Sequence, residues 1–128
     1  MRLWFAVGAL ALIASACSSS TPSTTTAAGG CADVFDVEVT QTSQGVYNFA
    51  VTLASPDEGW DKYADSFEVR SLSGEVLGTR VLAHPHVEEQ PFTRSLIGVK
   101  TTETSVVVTA SDLVEGFCGK ELTFELSG

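Results

Sequence analysis

The sequence predicts an all-β protein, a seven-stranded Greek-key β-sandwich over residues 31–128. Three observations carry that reading. Apolar and polar residues alternate with period two in one short run after another, as half-buried strands require. No stretch after Ala16 has the three-to-four spacing of an amphipathic helix. Turn residues separate the runs at short, regular intervals.

The runs are as follows. Phe35, Val37 and Val39 alternate with Asp36, Glu38 and Thr40, which assigns the three apolar residues to the core. Tyr47, Phe49, Val51 and Leu53 alternate with Asn48, Ala50 and Thr52. Phe67 and Val69 flank Glu68, the Ser73-Gly74 turn follows, and Val76 to Ala83 returns. Phe92 to Val99 is the fifth strand; Val106, Val108 and Ala110 mark the sixth; Leu122, Phe124 and Leu126 mark the seventh. The passage from Leu96-Ile97-Gly98-Val99 to Val106-Val107-Val108-Thr109-Ala110 resembles the corresponding passage of fibronectin type III domains. The expected architecture is therefore fibronectin-III-like or immunoglobulin-like, with a jelly roll or small barrel as the alternative.

Three segments break the alternation: 55–65, 84–91 and 111–119. If consecutive strands reverse direction, these segments join strands two to three, four to five and six to seven. All three then lie at one pole, together with the start of the first strand. Loops gathered on a rigid scaffold are the usual seat of function. The same geometry brings Cys31 near Cys118, so a disulfide between them is expected.

The amino terminus has a different character. Arg2 precedes an apolar run from Leu3 to Ala14, the pattern of a secretory signal over residues 1–16 and too short for a comfortable bilayer span. This leader inflates the 44% hydrophobic content. Ala14-Ser15-Ala16-Cys17 resembles the lipobox of bacterial lipoproteins, although Ala14 stands where leucine is more usual. The resemblance implies lipidation of Cys17, with palmitate among the acyl groups, and a cell-envelope location facing the periplasm or exterior. A plain secretory cut after Ala16 is the alternative. Residues 18–30 are uncharged and rich in Ser, Thr and Gly, a tether composition. One disulfide and one anchor account for the three cysteines.

The net charge is −9, and removal of Arg2 with the leader makes it one unit more negative. Nucleic acid is excluded as a partner on that balance, and an anionic lipid surface is disfavoured. His84 and His86, the two histidines of the chain, flank Pro85. In extended backbone both rings point to one side, where Asp61, Asp65, Glu88, Asp112 and Glu115 are the carboxylates able to complete a zinc or copper site. Trp60 and Tyr63, with Gln90 and Arg94, form a candidate binding surface. The opposing expectation is that Trp60 and Phe117 cap the core. No Gly-x-Ser-x-Gly or assignable nucleophile–base pair occurs, so an enzyme is not expected, and a small hydrolase ranks last.

Gly59-Trp60-Asp61-Lys62-Tyr63-Ala64-Asp65 and the run His84-Pro85-His86-Val87-Glu88-Glu89-Gln90-Pro91-Phe92-Thr93-Arg94 resemble a small family of uncharacterised secreted bacterial proteins. That resemblance implies a location and no activity. The combined expectation is a membrane-anchored envelope lipoprotein whose sandwich has a non-enzymatic binding or scaffolding role toward a protein or envelope partner. A metal-binding periplasmic or surface protein is the first alternative.

Overall fold

A computed structural model describes residues 30–127. Seven strands follow in chain order: β1 (Asp33–Ser43), β2 (Val46–Ala54), β3 (Ala64–Ser71), β4 (Val76–Val81), β5 (Phe92–Lys100), β6 (Ser105–Asp112) and β7 (Leu122–Glu125). They form two antiparallel sheets, a three-stranded one ordered β1-β2-β5 and a four-stranded one ordered β4-β3-β6-β7. No helix occurs among the described residues, so none there is long and apolar enough to cross a membrane. The expectations for residues 1–16, Cys17 and the tether up to residue 29 fall outside the described residues.

The alternation read from the sequence builds the core. Phe49, Val51 and Leu53 of β2 face Phe67 and Val69 of β3 and Val106, Val108 and Ala110 of β6, all buried. Full burial of each such Val, Leu or Phe side chain contributes about 1.5–3 kcal/mol. One assignment is overturned. Phe35 is 64% exposed, whereas Val34 and Val37 are buried. The register between β1 and β2 shifts between Val34 and Asp36. The extra residue of a bulge resets the alternation, which carries Phe35 to the outside.

The connections β2–β3, β4–β5 and β5–β6 cross from one sheet to the other, whereas β1–β2, β3–β4 and β6–β7 stay within one. At the seam between the sheets the Val34 amide donates to the Lys120 carbonyl at 2.7 Å, so β1 also ties to the chain just before β7. Cys31 and Cys118 form the expected disulfide, with Cα atoms 5.4 Å apart and a sequence separation of 87. Gly119 is required beside it, because a Cβ there would collide with the Ala32 carbonyl.

Candidate functional site

The three irregular segments do converge at the pole where β1 begins. Asp33 pairs with Ala54, Leu53 with Phe92, and Ala64 with Asp112, so the ends of β2 and β6 and the starts of β1, β3 and β5 lie together. Two buried carboxylates brace the loops there.

Asp57 is the first brace, and nothing in the sequence singled it out. Its carboxylate is fully buried. Oδ1 accepts from the Ser55 hydroxyl at 2.6 Å and from the Ala64 amide at 2.9 Å. Oδ2 accepts from the His86 amide at 2.8 Å. One side chain thus ties the β2–β3 connection to its own exit and to the β4–β5 connection. Gln90 repeats the link: its Oε1 accepts from the Ser55 amide at 2.9 Å, and its Nε2 donates to the His86 carbonyl at 2.8 Å.

The two histidines come together as the spacing predicted, with ring centroids 4.5 Å apart. Their environments differ. His84 is exposed and its Nδ1 donates to the Pro85 carbonyl at 3.0 Å. The His86 side chain is buried and stacks on Phe92, with centroids 3.8 Å apart and planes 11° from parallel. Arg94 donates to His86 Nε2 at 2.8 Å, which fixes the remaining ring proton on Nδ1. Burial lowers the His86 pKa below its ordinary 6.5, as do the charges of Arg94 and His84, against the opposing pull of Glu89 and Asp57. The ring is therefore neutral at neutral pH, and the 4.0 Å separation of Nδ1 from Asp57 Oδ2 is not an ion pair there. Arg94 also donates to the Thr93 carbonyl at 2.7 Å and to Glu89 at 3.3 Å.

Asp112 is the second brace. Its Oδ1 accepts from Lys62 Nζ at 2.9 Å, and its Oδ2 accepts from the amides of Val114 and Glu115 at 2.8 and 2.9 Å. Burial opposes its ionisation, but the Lys62 hydrogen bond, the two amides and the Lys62 charge together hold its pKa below the ordinary 3.8. Lys62 also donates to the Gly30 carbonyl at 2.7 Å.

Asp61, Glu88 and Glu115 are exposed, while Asp65 is half-buried with its Oδ1 unpaired among the described residues. No three His, Cys, Asp or Glu side chains among the described residues form a group able to hold a metal ion. Trp60 does not cap the core: it is 67% exposed, and its ring meets Tyr63 edge-on at 5.9 Å. Two hydrogen bonds between Gly59 and Lys62 close a tight turn with Trp60 at its exposed tip. Phe117 is also exposed, with the Arg70 guanidinium 4.4 Å above its ring. Leu113 and Val114 are exposed beside Tyr63, whose carbonyl accepts from the Leu113 amide at 2.9 Å.

The opposite pole holds an open cleft, unanticipated from the sequence. It encloses about 500 Å³ between Gln44, Glu75, Leu77, Lys100 and Glu103, next to a shallower one of about 270 Å³ that reaches Tyr47 and Leu126.

No family model matches the chain, and no solved structure matches it. Among curated proteins, the chain is 39% identical over 95 residues, 73% of its length, to a protein of Halomicrobium mukohataei described as "Putative lipoprotein". The match covers 47% of that protein, so the chain spans about half the length of the curated relative it matches.

Proposed function

We propose that the chain is a membrane-anchored cell-envelope lipoprotein whose sandwich serves a non-enzymatic binding or scaffolding role through loops 55–65, 84–91 and 111–119. One observation carries the binding role. The loop pole is held in a single arrangement by Asp57, Gln90 and Asp112, yet it leaves Trp60, Leu113 and Val114 uncovered. Rigid presentation of apolar side chains lowers the entropy cost of binding, and tryptophan is enriched among the residues that dominate interfaces. The lipobox-like Cys17 and the similarity to a protein described as a lipoprotein support the anchor. The strand order, β1-β2-β5 against β4-β3-β6-β7, favours the fibronectin-III variety of Greek-key sandwich.

Intact mass of the membrane fraction tests the anchor. The chain is expected to begin at Cys17 with its thiol acylated, and Cys17→Ser is expected to leave the membrane fraction. Retention of Cys17→Ser in that fraction would defeat this reading. The close approach of His84 and His86 favours a second reading as a metal-binding protein, although Arg94 occupies His86 Nε2. Zinc or copper raising the melting temperature of the untagged protein, with the effect lost in His84→Ala, would support it.

A further inference from the structure

We propose that the loop pole seats on the lipid–water interface of the membrane that holds the anchor, with Trp60, Tyr63, Leu113 and Val114 as its contact residues. The proposal rests on the lipid-anchor reading of Cys17.

The first argument is where the chain enters the domain. Gly30 lies between the two patch-bearing loops, its carbonyl bonded to Lys62 Nζ. A Cβ on Gly30 would sit 3.1 Å from that Nζ and 3.3 Å from Glu115 Cγ, and its φ of +126° is one that side-chain-bearing residues rarely adopt. The chain arriving from Cys17 therefore emerges beside the apolar side chains, at the pole away from the large cleft. Residues 18–30 span at most roughly 45 Å even when fully extended. An anchor at Cys17 keeps this pole near the bilayer and makes any weak affinity for it an intramolecular one.

The second argument is chemical. Trp60 is 67%, Val114 60% and Leu113 47% exposed, and Tyr63 lies against the Trp60 ring. The Leu113 amide bonded to the Tyr63 carbonyl joins the two loops into one patch. Tryptophan and tyrosine favour the headgroup depth of a bilayer, where one end of the ring is dry and the other wet. The loop tips are closed by their own backbone bonds, Glu58 and Gly59 to Lys62 and Asp112 to Gly116, so they carry few open peptide groups into the interface.

The third argument selects the lipid. Glu58, Asp61 and Glu115 are exposed around the patch, while Lys62, the cation of the first loop, is spent on Asp112 and Gly30. Against an anionic surface each such carboxylate costs on the order of 1 kcal/mol, by symmetry with the attraction of a basic residue. The occupant is therefore a zwitterionic or salt-screened surface. Seating there turns the cleft of about 500 Å³ outward, away from the membrane.

Trp60 reports directly, because the only other tryptophan, Trp4, leaves with the leader. The lipidated full-length mature protein is reconstituted in phosphatidylcholine vesicles with and without brominated acyl chains. Brominated chains are expected to cut Trp60 emission, as for an indole that reaches the lipid–water interface. Leu113→Asp with Val114→Asp is expected to restore emission while the protein stays vesicle-bound. Adding phosphatidylglycerol at low salt is expected to weaken quenching, and salt to recover it. A lipidated protein whose Trp60 stays unquenched, or quenches with water-soluble iodide instead, overturns lipid seating and leaves the patch to a protein partner. Quenching that survives the double substitution, or that grows with phosphatidylglycerol, overturns it as well. A protein with no lipid on Cys17 overturns the anchor reading, a failure that intact mass separates from all of these.

Discussion

The two poles of the sandwich solve the problem of joining strands in different ways. At the far pole, Gln44-Gly45 turns β1 into β2, and the β3–β4 and β5–β6 connections close on backbone bonds such as Gly74 to Ser71 and Thr101 to Gly45. The β3–β4 turn also uses the hydroxyl of the buried Ser71, which accepts from the Glu75 amide at 3.0 Å, but no buried carboxylate braces the loops there, and two clefts remain between the turns. At the loop pole, the connections are long and their backbone groups are satisfied by side chains, the buried carboxylates of Asp57 and Asp112 and the amide of Gln90. A long loop costs conformational entropy to order, and a buried carboxylate with several amide donors offsets that cost only while every bond is made. The loop pole should therefore be rigid and intolerant of substitution, and the far pole forgiving.

The largest test is the disulfide. Replacing Cys31 and Cys118 with serine opens a closed loop of 87 residues, which chain-entropy reasoning puts at about 4–5 kcal/mol. Thermal unfolding with and without reductant measures it, and a loss below about 1 kcal/mol would mean that the braces hold the pole without the staple. Next is Asp57→Ala, which strips partners from the Ala64 and His86 amides and the Ser55 hydroxyl. A loss of about 3 kcal/mol is expected, while Thr102→Ala at the far pole should stay within about 0.5 kcal/mol. Equal losses from the two would erase the contrast between the poles.

Much of this arrangement was legible in the sequence, and the exceptions share a cause. Strands such as β2 and β3 were legible because each has one wet and one dry face, which writes its period into the residues; β4, with no buried residue, was legible from the Ser73-Gly74 turn that precedes it. The convergence of the loops and the Cys31–Cys118 pairing followed from strand reversal alone. Phe35 misled because a bulge resets the phase without any residue announcing it. Asp57 was invisible because Ser-Pro-Asp reads as an ordinary turn, and only its partners 7 and 29 residues away give it a role. Spacing brought His84 and His86 together but could not show that one is exposed and the other locked between Phe92 and Arg94. Local pattern records burial on a regular element; it does not record long-range hydrogen bonds.

A smaller effect separates the two sides of the loop pole by pH. His86 has a lowered pKa in the folded protein. Above its ordinary 6.5 neither state carries the proton, and stability is at its full value. As pH falls below 6.5 the unfolded chain takes up a proton that the folded one resists, so stability declines until pH reaches the folded-state value. Asp112 is also lowered, and its contribution is present above 3.8 and lost as pH falls through its folded-state value. Urea midpoints measured against pH should show the two declines in separate ranges. His86→Gln should flatten the higher one, and Asp112→Asn the lower.

The smallest expected effect is the one that distinguishes bracing from binding. Trp60→Ala removes a large side chain, but one 67% exposed that meets Tyr63 only edge-on. Its stability cost should be within about 0.5 kcal/mol, as for surface substitutions away from caps and networks. If melting temperature falls as far as it does for Asp57→Ala, the indole is part of the brace and the loop pole has no spare apolar surface to offer. If stability holds while membrane seating is lost, structure and recognition are separable at this pole: buried carboxylates set the loops, and exposed aromatics use them.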